Sequence, residues 1–126
     1  MTLAKLCEEY QVKLCLFDGS NWQSSSFYNP DTNVLAIDHN LASEQQIQVA
    51  LHELGHKDHT RSEYQNARLR CENEADRNMI HHLVKDALEN LDDPTEFDYL
   101  KFISYYNLKT MTNEIMVKEE YLALVN

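Results

Sequence analysis

Residues 52–56 read His52-Glu53-Leu54-Gly55-His56, which is an HExxH sequence. Side chains four residues apart in an α-helix lie one above the other on the same face, so His52 and His56 can both direct an imidazole to one metal ion. Glu53 is rotated by roughly 100° from His52 around the helix axis. Its carboxylate would then lie beside the metal, where it can exchange protons with a bound water. This spacing suits metal-assisted hydrolysis.

The residues before the motif predict the helix that this geometry requires. Apolar side chains recur there at helical spacing and give the helix one core-facing stripe. The stripe consists of Ile47, Ala50, Leu51 and Leu54. Ser43 and Gln46 fit a capping box with Ser43 as the N-cap, so we predict a helix over residues 43–57. Gly55 inside it costs about 1 kcal/mol relative to alanine, which indicates either that another part of the chain passes close to the backbone there or that the helix end is frayed.

A catalytic zinc site needs a third protein ligand and an open position for water. Downstream, residues 66–91 read as one long helix, and three carboxylates, Glu72, Glu74 and Asp76, lie near its start. Glu72 and Asp76 are four residues apart and share a face, whereas Glu74 points elsewhere. One carboxylate of this pair can bind the metal while the other accepts the ring N–H of a ligand histidine.

The residues alone leave other ligands open. Glu74 lies close enough to Glu72 in the chain to replace it as the third ligand. Cys71 is a further candidate, although it is about 100° away from Glu72 around the helix. His59 follows His56 by three residues and is also able to bind a metal, although the polar residues around it predict that the helix is ending there.

The HELGH sequence at residues 52–56 and the E-x-E-A-D sequence at residues 72–76 together resemble the ImmA/IrrE family of metallopeptidases. The broader similarity is to the gluzincins, and it extends over residues 12–90. The resemblance implies a zincin-like fold, in which a strand leads into the HExxH helix and a long glutamate-bearing helix follows.

The same resemblance implies a role for each residue of the motifs. His52, His56 and Glu72 would bind one Zn²⁺ per chain, Glu53 would be the catalytic acid and base, and Asp76 would support a ligand histidine. Manganese remains an alternative metal, although the Irving–Williams order favours zinc at such a site.

The biological setting is likewise implied by the resemblance. It is the cleavage of a helix-turn-helix repressor in a phage or mobile element, which would relieve transcriptional repression. The alternative is a module that binds and antagonises a DNA-binding repressor without cutting it. Glu53 argues for the enzyme, because a pure binding module needs no catalytic base.

Composition narrows the class of protein further. The 126 residues suffice for a single metallopeptidase-like domain (1–126), in which the sheet and active-site helices occupy 12–91 and C-terminal helices occupy 95–124. A net charge of −10 argues against direct nucleic-acid binding. No apolar stretch suits a membrane span, and the N-terminus lacks a signal peptide's pattern. Three unpatterned cysteines then favour the cytoplasm. The oligomeric state is not predicted.

The rest of the chain predicts an α+β fold with a small N-terminal β-sheet packed against helices. We predict strands at 12–17, 22–28 and 34–37, and helices at 2–10, 95–108 and 112–124.

Residues 34–38 are the expected sheet edge, on which an extended substrate would add as a strand. His39 would then be near a bound peptide. A tyrosine hydroxyl could stabilise an oxyanion. The candidates in the C-terminal helices are Tyr99, Tyr105 and Tyr106.

Overall fold

The computed structural model describes residues 1–125 and has the predicted α+β fold, with a three-stranded sheet against helices. The helices are α1 (Leu3–Glu9), α2 (Ser43–Leu54), α3 (Arg61–Asn66), α4 (Arg68–Glu89), α5 (Tyr99–Tyr105) and α6 (Met111–Val125), with a 3₁₀ turn at Pro94–Glu96. Within residues 1–125, no helix is both long and apolar enough to cross a membrane. The predicted division at 91–95 into an active-site part and C-terminal helices stays a prediction.

Strand β3 (Val34–Asp38) is the centre of the sheet. Strand β1 (Lys13–Phe17) pairs with it in parallel, and strand β2 (Ser26–Asn29) pairs with it antiparallel. Successive side chains of a strand point to opposite faces, so Leu35 and Ile37 share one face, where both are fully buried in the core. The sheet therefore supplies one apolar wall on which the helices pack.

The prediction that residues 34–38 form a sheet edge is wrong, because β3 has a partner on each side. The chain reverses direction over residues 29–33, with Asn33 in the left-handed region at a φ of 55°, and this turn brings β2 alongside β3. The edge that packs against α2 is therefore β2. It is shorter than the predicted strand because the chain before it forms turns, such as the one closed by the hydrogen bond from Trp22 N–H to the Gly19 carbonyl.

The predicted capping box of α2 is also wrong. Ala42 is the N-cap, Ser43 is already helical, and no side chain caps the first turn. Gln46 instead reaches back and donates from Nε2 to the Leu41 carbonyl at 3.2 Å. The helix ends at Leu54, which makes it shorter than predicted, and the residues that follow form turns.

The predicted helix over 66–91 is α4, which begins two residues later than predicted because Ala67 leaves the helical region at a φ of −140°. The short helix α3 precedes it and was not predicted. A capping box holds the start of α3: Thr60 accepts from the Glu63 backbone, and the Glu63 side chain accepts from the Thr60 backbone. The predicted helix over 95–108 is divided into a 3₁₀ turn and α5, since Asp98 caps a new helix after the turn.

Gly55, the residue that ends α2, lies close to the backbone of α4, and the sequence predicts such a close approach at this residue. A Cβ atom placed on Gly55 would lie 2.6 Å from Ala75 Cα and 3.1 Å from the Ala75 carbonyl oxygen. Asn78 closes the same contact by donating from Nδ2 to the Leu51 carbonyl at 2.8 Å. The absence of a side chain at Gly55 thus permits the contact between the two helices.

Replacing Gly55 with alanine is expected to destabilise the fold by about 1–3 kcal/mol, the usual range for overpacking. The methyl group would meet backbone atoms of Ala75, which cannot move away unless α4 moves with them. Urea unfolding measures the change. The matched control is Gln45→Ala on the exposed side of α2, expected within about 0.5 kcal/mol of wild type. A Gly55→Ala protein as stable as this control would contradict the close contact.

Candidate metal centre

Helices α2 and α4 bring two imidazoles and one carboxylate together. His52 Nε2 lies 3.1 Å from Glu72 Oε2, and His56 Nε2 lies 3.5 Å from the same oxygen. His52, His56 and Glu72 form a group in which one ligand atom of each residue lies within 4.8 Å of those of the others. The helical spacing of the motif accounts for the two histidines, and the packing of α4 on α2 accounts for the glutamate.

This group fits a zinc ion. Zinc binds histidine nitrogen and carboxylate oxygen at about 2.0–2.2 Å, so two ligand atoms at a tetrahedral ion lie roughly 3.3 Å apart. The distances from Glu72 Oε2 to the two Nε2 atoms, 3.1 and 3.5 Å, lie on either side of this value. Two histidines and a glutamate also form the ligand set of catalytic zinc sites, in which the fourth position is left to water or substrate.

A carboxylate holds the other side of the His52 ring. Asp76 Oδ1 lies 2.9 Å from His52 Nδ1, so a proton on Nδ1 is donated to Asp76 and Nε2 is left for the metal. Burial lowers the pKa of His52, but the hydrogen bond and charge of Asp76, with the charges of Glu72 and Glu53, outweigh it and raise the pKa above its ordinary value. Asp76 is therefore placed as the resemblance implies; its supporting role stays a prediction.

Glu72 is held by Tyr64, a residue that the sequence analysis did not find. Tyr64 donates its hydroxyl to Glu72 Oε1 at 2.6 Å, while Oε2 faces the histidines. Burial raises the pKa of Glu72, but this hydrogen bond and the nearby histidines lower it below its ordinary value. The signal that was present is the T-x-x-E capping box at Thr60, which predicts a helix start four residues before Tyr64.

The other proposed ligands lie outside the group. Glu74 points away from Glu72 and contacts His59, with 2.6 Å between Glu74 Oε2 and His59 Nε2. His59 turns its other ring nitrogen to His56, with 3.0 Å between the two Nδ1 atoms. Cys71 is fully buried and does not line the cleft that contains the group.

Glu53 lies beside the group and does not belong to it. Its Oε1 accepts a hydrogen bond of 3.1 Å from the hydroxyl of Ser26, a buried residue at the start of β2. Burial raises the pKa of Glu53, and the hydrogen bond from Ser26 partly offsets this. A carboxylate held next to three converging ligand atoms is the arrangement that a catalytic base requires.

The group opens into a cleft of about 440 Å³. Besides His52, Glu53, His56, His59 and Glu72, its walls are formed by Tyr28, Pro30, Lys57, Thr60, Arg61, Tyr64 and Gln65. The tyrosines at the cleft are thus Tyr28 and Tyr64. The tyrosines predicted to stabilise an oxyanion do not line the cleft: Tyr105 lies near Glu44, and the Tyr106 carbonyl accepts from Gln48. His39, which was predicted to lie near a bound peptide, follows the last residue of β3 and does not line the cleft either.

The arginines on and before α4 have three kinds of environment. Arg70 pairs with Glu63 and Glu74, and Arg77 pairs with Glu119 and Glu120. Arg68 instead lies over the ring of Tyr64, at 5.6 Å from the ring centre. Arg61 lines the cleft.

The fold and this group define a zincin-like domain with a candidate metal site. Residues 7–118 match the family described as the IrrE N-terminal-like domain, peptidase M78, and the chain belongs to this family. The match confirms the ImmA/IrrE resemblance and makes the protein a metallopeptidase-like domain. No curated protein and no solved structure matches the chain significantly.

Loss of Glu72 should remove the metal, whereas loss of Glu74 should not. We expect elemental analysis of the purified wild-type protein, saturated with zinc and then dialysed, to find about one zinc per chain. Glu72→Ala should lose most of it because the only carboxylate in the group is gone. Glu89→Ala, which removes an exposed carboxylate of the same helix, is the matched control, and Glu74→Ala tests the alternative ligand. Loss of zinc with Glu74→Ala alone would show that the ligand set drawn from this geometry is incorrect.

Proposed function

We propose that the protein is a zinc-dependent metallopeptidase that hydrolyses a peptide bond of a protein substrate. The observation that carries this proposal is the convergence of His52, His56 and Glu72 with Glu53 beside them. The family match supports a metallopeptidase-like domain, and the three candidate ligand atoms with a carboxylate beside them support hydrolysis.

When bound by His52, His56 and Glu72, zinc would polarise the scissile carbonyl and lower the pKa of a water to about 7. Glu53 accepts the proton of the attacking water and then delivers it to the leaving amine. The hydroxyl of Ser26 holds Oε1 of Glu53, which leaves the second carboxylate oxygen free to take that proton.

The substrate would bind along β2. In an antiparallel pair, residues that exchange main-chain hydrogen bonds alternate with residues whose main-chain groups point away. Asp38 donates to the Ser25 carbonyl, so the alternation directs the main-chain N–H and C=O of Tyr28 away from β3. Tyr28 also lines the cleft. An extended substrate can thus add as a fourth strand beside the metal site.

A DNA-binding repressor of the helix-turn-helix type is the proposed substrate, in the cytoplasm of a cell that carries the phage or mobile element. The support is family membership and charge. A net charge of −10 attracts a basic partner, and proteins that bind DNA carry clustered lysine and arginine.

Glu53→Gln is the decisive variant for the enzyme. It keeps the size of the side chain and leaves the three ligand atoms in place, so we expect bound zinc to be unchanged. Loss of the base should reduce the rate of cleavage by about 10²–10⁴-fold. The measurement is mass spectrometry of new termini, after zinc-loaded protein is incubated with a proteome-derived peptide library and with repressors encoded near its gene.

Equal cleavage by Glu53→Gln and wild type would contradict the proposed role of Glu53. Zinc-loaded wild type that binds a repressor and relieves repression without producing new termini would favour the non-cleaving module instead. In that case Glu53→Gln would relieve repression as well as wild type does.

A further inference from the structure

We propose that His59, itself held by Glu74, positions His56 as a metal ligand. The inference rests on the proposed metal site and adds a residue pair that the hydrolytic mechanism does not use. His59 Nδ1 lies 3.0 Å from His56 Nδ1, and His59 Nε2 lies 2.6 Å from Glu74 Oε2. Glu74, His59 and His56 thus form one chain of hydrogen bonds that ends at the candidate metal position.

When both imidazoles are neutral, the form in which histidine binds a metal, the acceptor at the far end of this chain assigns its protons. An ionised carboxylate only accepts, so Glu74 receives the proton of His59 Nε2. A neutral His59 then has an acceptor at Nδ1, which receives the proton of His56 Nδ1. His56 in that tautomer has a free lone pair on Nε2, the atom that faces Glu72 Oε2. The chain therefore selects the form of His56 that binds a metal.

Local structure holds His59 in this position. Its backbone N–H donates to the His56 carbonyl at 2.9 Å, in the turn that follows α2. Its side chain is only 9% exposed, and its ring lies against that of His56 with 5.2 Å between the ring centres. Arg70 Nε lies 3.8 Å from the second oxygen of Glu74, which leaves Oε2 for His59.

The same geometry excludes His59 as a ligand in this arrangement. His59 approaches His56 from the Nδ1 side of the ring, whereas Glu72 approaches from the Nε2 side. A metal on Nε2 of His56 is therefore across the ring from His59. The two ligand histidines differ in their support: His52 contacts the carboxylate of Asp76 directly, and His56 contacts that of Glu74 through an imidazole.

The test is the zinc affinity of His59 variants, measured by competition with a chromophoric chelator. His59→Phe removes the acceptor for His56 Nδ1–H, and we expect zinc to bind about 10–100-fold more weakly, as is usual when such a partner is lost. His59→Gln supplies an amide oxygen as acceptor and should recover much of the loss. Glu74→Gln should weaken binding less than His59→Phe, and His39→Phe, on an exposed histidine outside the cleft, should have no effect.

Thermal unfolding of the metal-free proteins accompanies the titrations, so that a loss of zinc affinity is compared only among folded proteins. Weak binding by His59→Phe with recovery in His59→Gln supports the proposal, since a merely structural role would not depend on an acceptor. Wild-type affinity in His59→Phe, or equal losses in the Phe and Gln variants, would overturn it and leave the metallopeptidase intact. If His59→Phe does not fold, Glu74→Gln decides: an affinity equal to wild type overturns the proposal, and a weaker one supports it. A wild type that binds no zinc would instead refute the proposed function.

Discussion

The packing of α2 against α4 is the constraint on which the candidate metal centre depends. His52 lies on α2, His56 in the turn directly after it and Glu72 on α4, so the distance between the helices sets the distance between Glu72 and the histidines. That distance is fixed where Gly55 meets Ala75, one turn of α2 from Leu51 and one turn of α4 from Cys71. Both of these side chains are fully buried, and interiors at such packing density resist displacement.

Each converging side chain also has a hydrogen-bonding partner within the fold. Asp76 on α4 holds His52, Tyr64 on α3 holds Glu72, and His59 in the turn after α2 contacts His56. These partners direct one specific atom of each side chain to the common position. A metal site made from preoriented side chains on helices needs little rearrangement when the ion binds, and such preorganisation is what precise ligand geometry requires.

The sequence predicted the parts of the site that depend on local periodicity. The spacing that directs His52 and His56 to one side follows from the motif, and the glycine at position 55 indicates the close approach of α4, although Gly55 ends α2 and does not lie inside it. The sequence did not predict the contacts of Tyr64 with Glu72 and of Ser26 with Glu53, because these contacts depend on which elements meet in three dimensions. The choice of β3 as the edge failed for the same reason: strand order is set by the long-range pairing of β1 and β2, which no local pattern records.

Residues 55–67, between α2 and α4, are mostly polar and lack helical or strand periodicity, yet they have defined contacts in the structure. Their polar groups are satisfied within the fold: Thr60 and Glu63 cap α3, and Tyr64 and His59 bond to carboxylates of α4. Arg61 in the same segment lines the cleft. Under the proposed function, α2 and α4 carry the groups that every peptide hydrolysis needs, whereas this connection carries groups that a particular substrate would meet. Contacts with a partner usually reside on such connecting segments, because they can change without altering the core. Selectivity for one protein substrate would therefore be decided in this segment and along β2, and the metal centre would be common to any substrate.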